Sequence, residues 1–517
     1  MMSADLNTAA RKPSGTETPL VLALDVGSSS VRGALYDGRG LEVEGTQERL
    51  VRGLKTTAGG GAELDAREAA EETARVIDAV VARAAALGAR VEAVAVACFW
   101  HSLVGLDERG RPLTPVFGWA DTRAARHAEM LKRRLDEGKT HARTGCRFHP
   151  SYWPARLLWL KEERPEIFRG VRRWVSFGEL LSARFFEEQT ASVSMASGTG
   201  MLDVRSCRWD EELLETTGVT AEQLPAVEET YKPLGELTGE YARRWPALRG
   251  ARWFPAIGDG AANNIGAGCT GPERVALMVG TSGAMRVMWE GEPPAQLPAA
   301  LWCYRADRSR VLAGGALSDG GGLFHWMTDA LRLNEHAEET EKELASIKPD
   351  AHGLTVLPFW SGERSTGWNA QARGAILGLT MHTRPVEILR AAMEAIAYRF
   401  ALVARALDSL APRAEVVASG GALAASRVWP QMLADVLARP VRRADALEAS
   451  SRGAALLALE ATGKLKSIAD AEAPTVQTFE PDTAAHALYR AGLERHEKLY
   501  ARLVADEAAA REVSRST

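Results

Sequence analysis

The first strongly patterned stretch is LVLALDVG at residues 20–27, an apolar run interrupted only by Asp25 and closed by Gly27. Three serines follow, then VRGALYD at 31–37. The pattern predicts two strands joined by a tight turn of small residues. Residues 65–88 place apolar side chains at helical spacing, with Gly88 as a stop. VEAVAVAC at 91–98 is apolar almost without alternation, as in a buried strand. Strands alternating with helices predict an α/β architecture.

From about 147 to 252 the chain is rich in Trp, Arg and acidic residues, which predicts an insertion with helices of its own within a first domain. The opening pattern then returns. MVGTSGAMRVMWE at 278–290 is again strand, small hydroxyl turn, strand, with Gly280, Thr281 and Ser282 matching Gly27, Ser28 and Ser29. The two copies lie about half a chain length apart, so the sequence predicts a duplicated core, one copy per domain. A long helix near 386–409, a strand at 414–419 and a helix after Arg452 are expected in the second half. The helical spacing of 427–437 predicts Trp429 and Met432 as core residues.

Length supports the division. One hydrophobic core rarely grows beyond about 250–300 residues, and the chain has 517. The expected units are a flexible tail at 1–18, a first domain at 19–268, a second at 269–500 and a tail at 501–517. A formal net charge of −4 gives no basis for a nucleic-acid or anionic-membrane partner. Five dispersed cysteines without a CxxC pair argue against a disulfide framework or zinc site and for a cytoplasmic location. No apolar run reaches the ~20 residues of a membrane span, and the N-terminus lacks the apolar core of a secretory signal. The expected partner is a small molecule, with a homodimer as a possibility.

The two turns carry the first candidate chemistry. Glycine lets backbone N–H groups approach phosphate oxygens, and small hydroxyls add donors. Gly27, Ser28, Ser29, Arg32, Gly280 and Thr281 are thus candidate nucleotide-binding residues. Either turn taken alone also reads as a plain hairpin turn. No GxxxxGK[ST] is present, and no GxGxxG at a strand–helix junction, so neither a P-loop nor a dinucleotide site is expected. Asp25 ends a buried strand, where a carboxylate is costly unless paired or near a cation. A Mg²⁺-linked role is assigned to it, the alternative being a turn-capping Asp. Asp259, in GDGAANNIGAG, reads in isolation first as a turn former, the alternative being the carboxylate that phosphoryl transfer places on an acceptor hydroxyl.

DVGSSSVR, GDGAANNIGAG, VGTSGA and PFWSGERSTGWNAQARGAILGL together resemble the FGGY carbohydrate kinases, over about residues 20–495. The resemblance implies two actin-like (RNase H-like) ATPase domains with a cleft between them, ATP and Mg²⁺ as cofactors, and Asp259 as catalytic base beside substrate and metal. It implies nucleotide contacts at Gly321 and Gly421, where close helix–strand packing is the alternative. His101 matches the family's substrate-side histidine, the alternative being a hydrogen-bonded core histidine. Trp119, Asp121 and Arg123 form a WADxR pattern similar to gluconate kinases. Arg123 suits a substrate carboxylate, or else a salt bridge. Phe99-Trp100 departs from the family's commoner Gln-Met. Glu363, Arg364, Trp368, Asn369 and Arg373 either hold the domains together near the cleft or touch ligand; support is the expectation, and no catalytic role is assigned. The resemblance implies transfer of the γ-phosphate of ATP to a sugar acid, D-gluconate first. The alternatives are a pentulose or polyol kinase, a non-kinase actin-like ATPase and a sugar sensor.

Overall fold

The computed structural model describes residues 20–444, 448–471 and 475–505. The expected tail at 1–18 lies outside the described residues, as does the expected C-terminal tail beyond residue 505. The first part of that tail, Ala501–Ala505, continues a helix and buries Val504.

The first sheet begins with β1 (Leu20–Val26) and β2 (Ser30–Tyr36), an antiparallel hairpin that sets Asp25 opposite Arg32. β3 (Glu48–Val51) extends it. Helix α1 (Ala66–Ala86) starts at Asp65, whose side chain accepts from the N–H groups of Arg67 and Glu68. It ends as the sequence predicts, with Gly88 just beyond at φ 61°. β4 (Val91–Cys98) runs parallel to β1. β5 (Arg252–Trp253) and β6 (Ile257–Gly258) both pair in parallel with β4. The order is β5-β4-β1-β2-β3, and α2 (Asp259–Gly266) leaves β6 directly.

The second sheet repeats this plan. β7 (Arg274–Val279) and β8 (Gly283–Glu290) form the hairpin. β9 (Trp302–Arg305) and β10 (Arg310–Leu317) continue beyond β8. Helix α3 (Gly321–Ala330) follows, then α4 (Pro385–Leu407), the expected long helix. β11 (Glu415–Ser419) is parallel to β7, as β4 is to β1. With β12 (Val441–Ala444) and β13 (Thr475–Phe479) the order is β9-β10-β8-β7-β11-β12-β13. A hairpin plus a parallel strand therefore occurs twice, as the duplicated sequence pattern predicts.

Trp429 and Met432 are buried in the second core. The helix expected after Arg452 departs from expectation. α5 (Ala449–Ala461) begins before Arg452, whose buried guanidinium donates to the carbonyls of Gly40 and Gly266. Its Ala454–Leu459 face packs with β1, β4 and α2. A helix that lies in sequence between two strands of the second sheet, β12 and β13, thus completes the first core. All five cysteines are buried and unbridged. Among the described residues no helix is long and apolar enough to cross a membrane.

Candidate active site

β4 lies between β1 and β6, so their C-terminal ends bring two carboxylates to the same edge. Asp25 is level with Ala97, and Gly258, one residue before Asp259, is level with Cys98. Asp259 is the first residue of α2. Its Oδ1 accepts from the Gly260 N–H at 2.8 Å and from the Trp100 N–H at 3.5 Å. Burial pushes the Asp25 carboxyl up to about 7, the charge of Asp259 adds to this, and Arg32 at 3.8 Å opposes it. Arg32 also pairs with Glu448 at 2.9 Å. Burial likewise raises Asp259, against the pull of Arg286 and the two N–H donors. Neighbouring carboxylates that resist ionisation favour a cation between them.

Asp259 opens into a cleft of about 630 Å³ that is continuous with solvent. From the first half its walls include Trp100, His101, Trp119, Ser151 and Tyr152. The second half contributes Ser282, Arg286, Trp302, Tyr304, Arg364 and Trp368. Trp302 and Tyr304 alternate on β9 and stack at 4.2 Å. The Tyr304 hydroxyl meets that of Tyr152 at 2.6 Å, which joins the two halves at one side. Trp100, where the sequence departs from the family, fills the floor. Its indole lies so close to Gly258 and Gly260 that a Cβ on either would fall within 1.8 and 2.5 Å of ring atoms. Its Nε1 donates to the Ser194 carbonyl at 2.9 Å. The glycines on both sides of Asp259 thus make room for this tryptophan. Phe99 instead turns into the core against Phe177.

His101 takes a left-handed backbone (φ 65°), uncommon for a residue other than glycine. Its Nδ1 bonds the Gly198 carbonyl, an acceptor, so Nδ1 carries the hydrogen. Burial lowers its pKa to about 3, so the ring is neutral and Nε2 is left as an acceptor. Arg286, buried on β8, donates to the Gly260 carbonyl at 3.4 Å and to the Asn263 and Asn264 side chains at 3.2 and 3.3 Å. Burial pulls it down to about 10. The Arg364 guanidinium lies over the Trp119 ring at 4.8 Å.

The β7–β8 turn forms a second cluster with the start of α3. Gly321 N–H donates to the Gly280 carbonyl at 2.7 Å, and Gly322 N–H to the Thr281 carbonyl at 3.0 Å. Gly321 must be glycine here, since a Cβ would stand 2.7 Å from the Gly280 oxygen. Gly421 borders open space instead. In the first turn, Gly27 N–H bonds the Ser30 carbonyl, Ser28 is half-buried and Ser29 is exposed.

Of the residues singled out from sequence, His101, Trp119 and Asp259 line the cleft. Asp25 and Arg32 stand together beside it. Asp121 and Arg123 are not among the lining residues. Arg123 is closed into ion pairs with Asp121 and Glu63 and lies over Trp159 at 4.6 Å. The sequence reading missed Trp302, Tyr304 and Tyr152, which no motif marks, and Arg286, which sits in the GTSGAMR stretch. It favoured a supporting role for Arg364 over ligand contact.

Residues 20–266 match the N-terminal domain of the FGGY family of carbohydrate kinases, and residues 275–462 match its C-terminal domain. A gluconokinase of Bacillus subtilis strain 168 is 28% identical, covering 87% of this chain and 89% of its own. A glycerol kinase of Trichlorobacter lovleyi is 31% identical, covering 86% and 90%. The crystal structure of ligand-bound xylulose kinase from Lactobacillus acidophilus superposes with a TM-score of 0.87 at 26% identity, over 94% of this chain and 98% of that one. Two sheets of one plan, an aspartate at the head of a helix in the cleft between them, and a family match on each half lead to one conclusion: the chain belongs to the FGGY family of carbohydrate kinases and is a sugar kinase.

Proposed function

We propose that this kinase transfers the γ-phosphate of ATP to a hydroxyl of a sugar acid, D-gluconate foremost. One observation carries the reading. The charged side chains lining the cleft are Asp259 and two arginines, Arg286 and Arg364, and among the described residues neither arginine has a carboxylate within ion-pair reach. Asp259 acts on both only at a distance; a buried cation without a carboxylate in direct contact is costly, and an anionic ligand offsets that cost.

Asp259 orients the acceptor hydroxyl and takes its proton while the oxygen attacks the γ-phosphorus. The bond from phosphorus to the β–γ bridging oxygen breaks, and ADP leaves with that electron pair. Its raised pKa brings this carboxylate nearer the basicity a proton acceptor needs. Neutral His101 accepts a sugar hydroxyl at Nε2, and the aromatic walls keep water from competing. Gly27, Ser28, Ser29 and Arg32 on one side, and Gly280 and Thr281 on the other, face the phosphates. Gly321 and Gly421 approach the nucleoside. The first domain, 19–268, carries the acceptor-side Asp259 and His101 with the first phosphate turn, and the second, 269–500, carries the nucleotide site and the opposite wall of the cleft.

Asp25 and Asp259 suit a hard divalent cation, because burial raises both carboxyls, the charge of Asp259 raises Asp25 further, and neither is fully buried. They would hold Mg²⁺, which when bound offsets charge on the phosphates.

The test is ADP release across D-gluconate, D-xylulose, D-ribulose and glycerol. The expected result is the highest kcat/KM for gluconate. A neutral acceptor in first place overturns the sugar-acid assignment and leaves the kinase class standing.

A further inference from the structure

Three arginines compete for the role of reading an acidic substrate, and their surroundings separate them. Arg123 is closed by Asp121 and Glu63. Arg286 spends its Nη1 on the Gly260 carbonyl and two asparagine side chains, which places it behind the first turn of α2.

Arg364 differs from both. It is nine-tenths buried, at 9% exposure, and lines the same cleft as Asp259. Among the described residues its side chain makes one hydrogen bond, from Nη2 to the Leu317 carbonyl at 2.9 Å, while its buried Nε has no partner. The carboxylate next to it in sequence cannot serve. Glu363 turns the other way, pairing with Arg399 and accepting from the Tyr500 hydroxyl at 2.7 Å and the Gly367 N–H at 3.0 Å. Asp319, a further nearby carboxylate, is held by the Ser361 N–H and hydroxyl, both at 2.9 Å. The guanidinium carbon lies over the Trp119 ring at 4.8 Å. The result is a planar fork of donors at the cleft wall that, among the described residues, has no carboxylate in ion-pair contact, a group that suits a carboxylate bidentately.

We infer that Arg364 is the specificity-determining residue for the acceptor, pairing with the carboxylate of the sugar acid while Asp259 attends the hydroxyl that is phosphorylated. This rests on the sugar-acid reading proposed above. It moves the carboxylate contact away from Arg123 and to the guanidinium that lies over Trp119.

The experiment compares D-gluconate with D-glucitol, which differs only in carrying a hydroxymethyl group in place of the carboxylate. The kcat/KM ratio for this pair is measured in wild type, Arg364→Gln and Arg364→Lys, with KM for ATP measured alongside. The expected wild-type ratio favours gluconate, and Arg364→Gln lowers it about 10- to 150-fold, the worth of one charge-assisted contact. KM for ATP stays within about twofold. Arg364→Lys keeps a buried cation, and hence the fold, but loses the fork, so its ratio falls between the two. A wild-type ratio favouring glucitol overturns the sugar-acid reading and this assignment together. A gluconate preference that survives in both variants overturns the assignment alone. A rise in KM for ATP that matches or exceeds the rise for gluconate also overturns it, because the guanidinium then serves the transferring phosphate.

Discussion

The two hairpins share a strand plan but not a chemistry. In the first, Asp25 faces Arg32 across the ladder, and Val26 and Val31 close a turn of four residues. In the second, Met278 faces Ala284, and Val279 and Gly283 close a turn of three. The first half therefore brings charge to its sheet edge, with Asp25 and Asp259 on either side of β4. The second brings backbone, with the Gly280 and Thr281 carbonyls bonded to the glycines that begin α3. Duplicating a core copies strand order and turn position. The side chains at the strand ends are free to diverge, because there they face the cleft rather than the core.

The largest expected effect breaks this asymmetry at its charged side. Asp259→Asn should lower kcat by ~10²–10⁴-fold while ATP still binds, since the amide cannot take the hydroxyl proton. Asp25→Ala should raise the Mg²⁺ concentration needed for half-maximal rate. The matching position in the other half, Met278→Ala, should cost no more than roughly tenfold, because methionine tolerates replacement. Turnover measured at several Mg²⁺ concentrations separates the three. Equal losses at Asp25 and Met278 would mean that the halves share the work.

Much of this was legible in the sequence, and the physical reasons are local. β4 falls where the unbroken apolar run at 91–98 put it, and both hairpins follow from apolar runs ended by glycine. Asp259 was legible because its Gly-Asp-Gly setting is short and distinctive. Residues whose meaning depends on long-range neighbours were not. Trp302 and Tyr304 occupy a four-residue strand without a motif, and only the sheet order turns them toward Trp100. Glu363 and Arg364 read together as parts of one signature, yet their side chains part company. One goes to Arg399, the other to the cleft. The helix expected after Arg452 starts earlier, at Ala449, and Arg452 within it is buried with its guanidinium on the carbonyls of Gly40 and Gly266.

A smaller effect sharpens the comparison within the backbone-rich half. Gly321 and Gly421 are both proposed to approach nucleotide, but only Gly321 is hemmed in by protein. Gly321→Ala presses a methyl onto the Gly280 oxygen and the Ala422 side chain, so it should lose about 1–3 kcal/mol of stability as well as ATP affinity. Gly421→Ala meets no protein atom within 4 Å. Its melting temperature should hold while KM for ATP rises about tenfold, the cost of one contact of roughly 1.4 kcal/mol. An unchanged KM in Gly421→Ala would remove that residue from the nucleotide site.

The smallest expected effect on catalysis concerns Arg123, where the sequence pattern pointed to substrate and the structure shows a closed ion-pair cluster. Arg123 lies over Trp159 and Phe117, and its guanidinium pairs with the buried Asp121 and with Glu63. In Arg123→Ala, Asp121 keeps the N–H groups of Ala62 and residue 123 but loses its counter-ion. Leaving a buried carboxylate without its charged partner should cost about 2 kcal/mol of stability. The ratio of kcat/KM for gluconate to that for glucitol should stay within about twofold of wild type, because the lost charge was already neutralised. Arg364→Gln is expected to do the reverse, moving the ratio and leaving Arg123 and its partners in place. Measuring melting temperature and the acceptor ratio in both variants therefore places each arginine on one side of the line between structure and recognition. If Arg123→Ala lowers the ratio as far as Arg364→Gln does, the ion pair with Asp121 opens to substrate, and the WADxR pattern is itself part of the acceptor site.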